Sequence, residues 1–146
     1  MKTKLLAILL SLAVINFSCD KEDDDVDAPP APYNIAGLWI GTYTINQLPN
    51  QTPLYYSYSI KPDGKILTEG KGADGKSYYH QGTWTLNGKT FTASYATINS
   101  TVGVVTQSAT LTFNADKGTL TEGTWTDVIN PNGHLDGKFQ TLTRVN

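Results

Sequence analysis

The side chains best suited to chemistry in this chain are aromatic rings that carry a polar handle. Tyr56, Tyr58 and Ile60 alternate along one short segment, and Tyr78, His80, Gly82, Trp84 and Leu86 along another. With a strand period of two, each set shares a face. Hydroxyl and imidazole groups among apolar rings can orient a small amphipathic molecule. Tyr56, Tyr58, Tyr78, His80 and Trp125 are therefore the candidate ligand-binding residues. Strand parity over Gly123–Asp127 is ambiguous, so the pattern leaves the direction of Trp125 open. The competing reading is that these rings pack a core.

Catalysis has less to work with. His80 and His134 are the two histidines, and neither has a second His, Cys or carboxylate at metal-ligand spacing. A Gly-x-Ser-x-Gly elbow and a phosphate loop are both missing from the sequence. Glu69 and Glu122 occupy matching positions in an internal repeat, and a glycosidase works with two such carboxylates. Two exposed residues on equivalent strands are the simpler reading. No catalytic residue, metal or cofactor is assigned, and the domain is read as a binder and not an enzyme.

These residues need strands to hold them, and the sequence supplies strands. Thr, Tyr, Val, Trp and Ile dominate the region after residue 33, as β-structure prefers, and no helical periodicity runs for three turns. Turn signals recur at Pro62-Asp63-Gly64, Asp74-Gly75, Asn87-Gly88, Asp116-Lys117-Gly118 and Asn132-Gly133. Asn-Gly and Asp-Gly supply the positive φ of tight hairpins. The expected strands are Leu38–Ile45, Tyr55–Ile60, Lys65–Gly70, Ser77–Leu86, Thr90–Ile98, Val104–Phe113, Thr119–Asp127 and Gly137–Val145. Short connections make them an up-and-down meander, and closing the eight into an antiparallel β-barrel removes both sheet edges. An open meander is the structural rival. Ser57–Gly70 aligns with Thr110–Gly123, sharing Leu-Thr-Glu-Gly, and reads as two hairpins of one barrel. An eight-stranded barrel is either just filled or holds one small ligand. The number of large rings points to filling, with a shallow pocket at the open end.

The amino-terminal region has a different character. Lys2 and Lys4 precede an apolar run from Leu5 to Ile15, too short for a membrane span of roughly 20 residues and suited to a secretory leader. Ser18 and Cys19, the one cysteine, follow, then an acidic stretch over residues 20–27 and Ala28-Pro29-Pro30-Ala31-Pro32. This junction resembles a bacterial lipoprotein signal, with Asn16 where the stricter box has Leu. The resemblance implies cleavage before Cys19 and acylation of its thiol. An ordinary leader followed by a free cysteine is the alternative. Lysine and acids directly after the cysteine resemble the export signal of surface lipoproteins, which implies the outer face of the outer membrane; a periplasm-facing position is the alternative. The acidic run lacks the spaced ligands and turn glycine of a calcium loop.

The division expected is thus a signal peptide over residues 1–18, the lipidated cysteine and tether over 19–32, and the barrel over 33–146. Fully extended at about 3.1 Å per residue, the tether reaches up to ~40 Å. Residues 28–146 hold 7 acids and 8 bases, so the domain is near neutral and nucleic acid is excluded as a partner. The barrel is read as a monomer without disulfides.

Gly37-Leu38-Trp39 on the first strand and Arg144 on the last resemble the signature of the calycin superfamily of lipocalins, fatty-acid-binding proteins and avidins. The resemblance implies that the tryptophan packs at the closed end of a lipocalin-like barrel with the arginine across its indole, a cation–π contact. With the Lys-Pro-Asp-Gly turn and the repeated Gly-Thr-Trp, the span Ile35–Val145 is similar to small lipocalin-like lipoproteins of the Bacteroidetes. Two functions follow as expectations. One is a lipid-anchored outer-membrane protein that binds a small hydrophobic or amphipathic ligand. The other is a surface adhesion or assembly module with a filled barrel, contacting glycan or protein through Tyr55 and Tyr79.

Overall fold

The computed structural model describes residues 34–100 and 103–145. The leader, Cys19 and the tether lie outside the described residues. Among those described there are nine strands and no helix: β1 (Gly37–Ile45), β2 (Leu54–Ile60), β3 (Lys65–Lys71), β4 (Ser77–Asn87), β5 (Thr90–Thr97), β6 (Thr106–Asn114), β7 (Thr119–Ile129), β8 (Asp136–Phe139) and β9 (Leu142–Val145). Each strand from β1 to β7 pairs antiparallel with the next, and β1 pairs β8 and β9 along its other edge. The sheet therefore closes on itself as an eight-stave, up-and-down antiparallel barrel, and the open meander is ruled out.

The eighth stave differs from expectation. A single strand over Gly137–Val145 is replaced by β8 and β9, laid end to end between β7 and β1. Phe139 and Leu142 are both buried although three residues apart, while Gln140 and Thr141 between them are exposed. An extra residue thus resets the alternation. The kink crosses β1 at Gly41, where a Cβ would stand 2.5 Å from the Thr141 carbonyl oxygen; only glycine permits that approach.

Alternation places the core. On β5, Phe91, Ala93, Tyr95 and Thr97 are buried and their neighbours are not. The same holds for Ile66, Thr68 and Gly70 on β3. Gly82 lets β4 and β5 close up, since a Cβ there would lie 1.9 Å from the Ser94 carbonyl oxygen. Both face sets anticipated from the sequence, Tyr56-Tyr58-Ile60 on β2 and Tyr78-His80-Gly82-Trp84-Leu86 on β4, point inward. Trp39, Ile60, Ile66, Phe91, Phe113, Leu120 and Leu142 fill the lower half, each contributing roughly 1.5–3 kcal/mol by leaving water.

That end of the barrel is shut by residues 34–36. Trp39 is fully buried, meets Phe113 edge to face at 5.9 Å, and donates its Nε1–H to the Ile35 carbonyl at 2.9 Å. Arg144 is its register partner across β9. The guanidinium donates to the carbonyls of Asn34 and Ala36 at 3.1 and 2.7 Å, and its Nε lies 3.1 Å from where a Cβ on Gly37 would stand. Arg144 therefore ties down the closed end through main-chain hydrogen bonds.

Candidate functional site

At the other end the barrel is not filled. A cavity of about 490 Å³ opens among the upper halves of the staves and the β1–β2, β3–β4 and β7–β8 loops. The sequence expectation of a filled barrel with a shallow pocket is thus corrected: the large rings fill the lower half and line the upper one. Gly70 and Gly72 line the cavity as well, and a Cβ would stand 2.9 Å from the Tyr56 ring at the first and 2.5 Å from the Tyr78 ring at the second.

Four of the five residues chosen from the sequence meet in this cavity. Tyr56, Tyr78, His80 and Trp125 line it. Tyr58 does not. It shares the inward face but sits one layer deeper, with no exposed surface, its ring packed against Tyr56, Phe91, Tyr95 and Phe139. It forms the floor on which the site rests, and a period of two fixes a face but not a depth.

Trp125 points inward because of a bulge. Across β6 and β7, Thr110 pairs Thr124 while Thr112 pairs Thr121, so Glu122 and Gly123 together face Leu111. Glu122 takes the left-handed conformation at φ 53°. The bulge shifts the alternation by one, burying Leu120, Gly123, Trp125 and Asp127 in turn. This is the physical origin of the parity ambiguity in the sequence. Trp125 donates its Nε1–H to the Thr44 carbonyl at 3.1 Å and meets Tyr43 edge to face at 5.8 Å. The bulge also separates the two repeat hairpins: Glu122 is exposed on it, and Glu69 faces outward from a regular strand, bonded by Ser77 and Tyr79.

A relay of polar groups runs along one wall. The Tyr56 hydroxyl donates to Thr68 Oγ1 at 3.1 Å, and Thr68 Oγ1 lies 2.9 Å from His80 Nδ1. With its oxygen accepting from Tyr56, the Thr68 hydroxyl is free to donate to Nδ1. His80 then carries its proton on Nε2, the tautomer its partner dictates. Burial drives the His80 pKa down to about 4, with the Asp127 carboxylate working against the shift. The imidazole is therefore neutral at pH 7. Burial also raises the phenols of Tyr56, Tyr58 and Tyr95 well above the ordinary value, and that of Tyr43 to about 12. Tyr43 donates to the Lys71 carbonyl at 2.8 Å. At the rim Tyr78 donates to Asp74 Oδ2 at 3.0 Å, and that bond holds its own pKa up.

Sequence reasoning missed Asp127. It is 5% exposed and lines the cavity. Its carboxylate accepts from Gln107 Nε2 at 2.9 Å, Asn130 Nδ2 at 2.6 Å and the Leu135 amide at 3.1 Å. These bonds fasten the β7–β8 loop over the rim. The available signal was a lone acid at the end of an apolar-aromatic strand, and the bulge hid which way it pointed. Tyr43, Tyr95 and Phe139 also line the cavity. His134 does not; it sits outside the barrel, 3.3 Å from Thr126 Oγ1. Among the described residues no cluster of three or more His, Cys, Asp or Glu side chains is placed to hold a metal.

The fold and site together define a closed β-barrel with one aromatic, polar-handled chamber at its open end. Comparison of the chain with family models, curated proteins and solved structures finds no match.

Proposed function

We propose that this chain is a lipocalin-like lipoprotein, anchored in the outer membrane through acylated Cys19, that binds a small hydrophobic or amphipathic ligand in the open end of its barrel. The observation that carries the binding reading is the cavity itself. Its volume of about 490 Å³ falls within the range of roughly 300–1,000 Å³ typical of small-molecule sites. Its wall is aromatic, with His80, Thr97 and Asp127 as buried polar groups. That combination orients one end of a ligand while burying the other. The lipocalin-like reading draws support from the eight-stave barrel and from Trp39 and Arg144 at its closed end. Anchorage rests on the sequence around Cys19, where two or more acyl chains would hold the protein stably.

Binding as the task, and not catalysis, is supported by the place of the hydroxyl bonded to His80: Thr68 is buried and is not among the residues that line the cavity, so it is not presented to a ligand. The adhesion alternative keeps Tyr79, 42% exposed and outward-facing, but loses the filled barrel on which it was premised. Tryptophan and tyrosine fluorescence titrated with lipids, haem, bile acids and oligosaccharides tests the binding reading. A saturable change with one class is expected, and silence with all of them sinks it. For the anchor, Cys19→Ser should move the protein from the detergent phase to the aqueous phase in a phase partition; retention in the detergent phase contradicts acylation at that thiol.

A further inference from the structure

The charge of the cavity narrows what it can hold. Asp127 brings a carboxylate to the wall, and no lysine or arginine lines the chamber among the described residues. Asp74 also reaches the lining, but at the rim, where Lys76 Nζ stands 3.4 Å from its carboxylate and both are open to water. His80 is neutral, and the phenols are held protonated by burial. The chamber thus carries one uncompensated negative charge behind low-dielectric walls, which strengthen its field. Asp127 accepts three hydrogen bonds, one on Oδ1 and two on Oδ2. A carboxylate has about four acceptor sites, so Oδ1 retains one.

Around this charge stand the rings of Tyr43, Tyr56, Tyr78, Tyr95, Trp125 and Phe139. Electron-rich ring faces attract ammonium groups. A fatty acid or bile acid entering the same chamber would instead have to desolvate its own carboxylate beside Asp127.

Building on the binding reading above, we propose that the cavity selects an amphipathic organic cation, an amine with an aromatic or alkyl body, whose ammonium pairs with Asp127. The apolar body lies among the tyrosine rings and Trp125. His80 Nε2–H and the phenol hydroxyls serve any further polar group on the ligand.

The test uses tryptamine, tryptophol and indole-3-acetate, which share one ring system and differ in charge, titrated calorimetrically into the full-length chain at pH 7. Tryptamine should bind most tightly and indole-3-acetate most weakly, at least about tenfold apart. Asp127→Asn should weaken tryptamine about tenfold while leaving tryptophol within about twofold. The asparagine oxygen can keep the Asn130 and Leu135 bonds, and the Gln107 amide can turn to accept from its nitrogen. Should that variant fold poorly, Val105→Lys leaves the Asp127 bonds in place and adds a cation to the lining, and it should shift preference toward the acid. Indole-3-acetate binding as well as tryptamine, or a preference untouched by either variant, overturns the cation proposal and leaves the pocket standing. So does saturation by a fatty or bile acid when none of the three indoles binds. If nothing saturates the chamber, the binding reading itself falls, and this proposal with it.

Discussion

His80 shows how one buried side chain ties the site to stability. Its Nδ1 is held by Thr68, its ring meets Tyr95 edge to face at 5.5 Å, and burial lowers its pKa to about 4. In the unfolded chain a histidine titrates near 6.5. Between those two values the unfolded state binds more protons than the folded one, so stability rises with pH across that window. The stabilisation is fully present above about pH 6.5 and is lost as pH falls toward 4, an effect on the order of 3 kcal/mol. Urea midpoints at pH 4.5 and 7 should therefore differ strongly in the wild type and much less in His80→Gln. Equal slopes in the two proteins would mean that His80 is not buried as a neutral ring. Asp127 acts on the same group from across the chamber. The two most informative polar residues of the site are thus electrostatically coupled, although 47 positions separate them in the sequence.

At the scale of elements, the two ends of the barrel do different work and respond separately. Arg144 closes the lower end by bonding Asn34 and Ala36. Arg144→Ala removes two charge-assisted bonds at a partly exposed site and should cost about 1–2 kcal/mol in denaturant unfolding. Ligand affinity at the open end should be unchanged, because Trp39, Phe113 and Leu120 still separate the two ends. A change of affinity matching the loss of stability would show the ends to be coupled.

The elements were largely legible in the chain. Asn-Gly and Asp-Gly turns marked the hairpins, and seven of the eight anticipated strands stand within two residues of their expected bounds at each end. The features that stayed hidden are those where alternation breaks. The bulge at Glu122 and the kink between Phe139 and Leu142 each insert a residue. The pairing partner across the barrel decides such an insertion, and no local pattern announces it. Trp125 and Asp127 lie just beyond the first of these breaks, which is why one was uncertain and the other missed. Depth was hidden too: Tyr56 and Tyr58 look alike in sequence, yet one lines the chamber and the other is its floor.

Along the whole chain the charge is unevenly placed. The acids are concentrated in residues 20–27, while the near-neutral barrel keeps one carboxylate deep inside its chamber. The central claim is that this chamber receives a small molecule, and filling it tests that claim most directly. Val105 lines the wall, is partly exposed and takes no part in the Tyr56–Thr68–His80 relay. The decisive measurement is a titration of intrinsic fluorescence, with the best ligand of the panel, on the wild type, Val105→Trp and Arg144→Ala. One-to-one saturation is predicted for the wild type and Arg144→Ala, and its loss in a folded Val105→Trp. Binding that survives in Val105→Trp, or is absent from the wild type with every ligand tried, would contradict it.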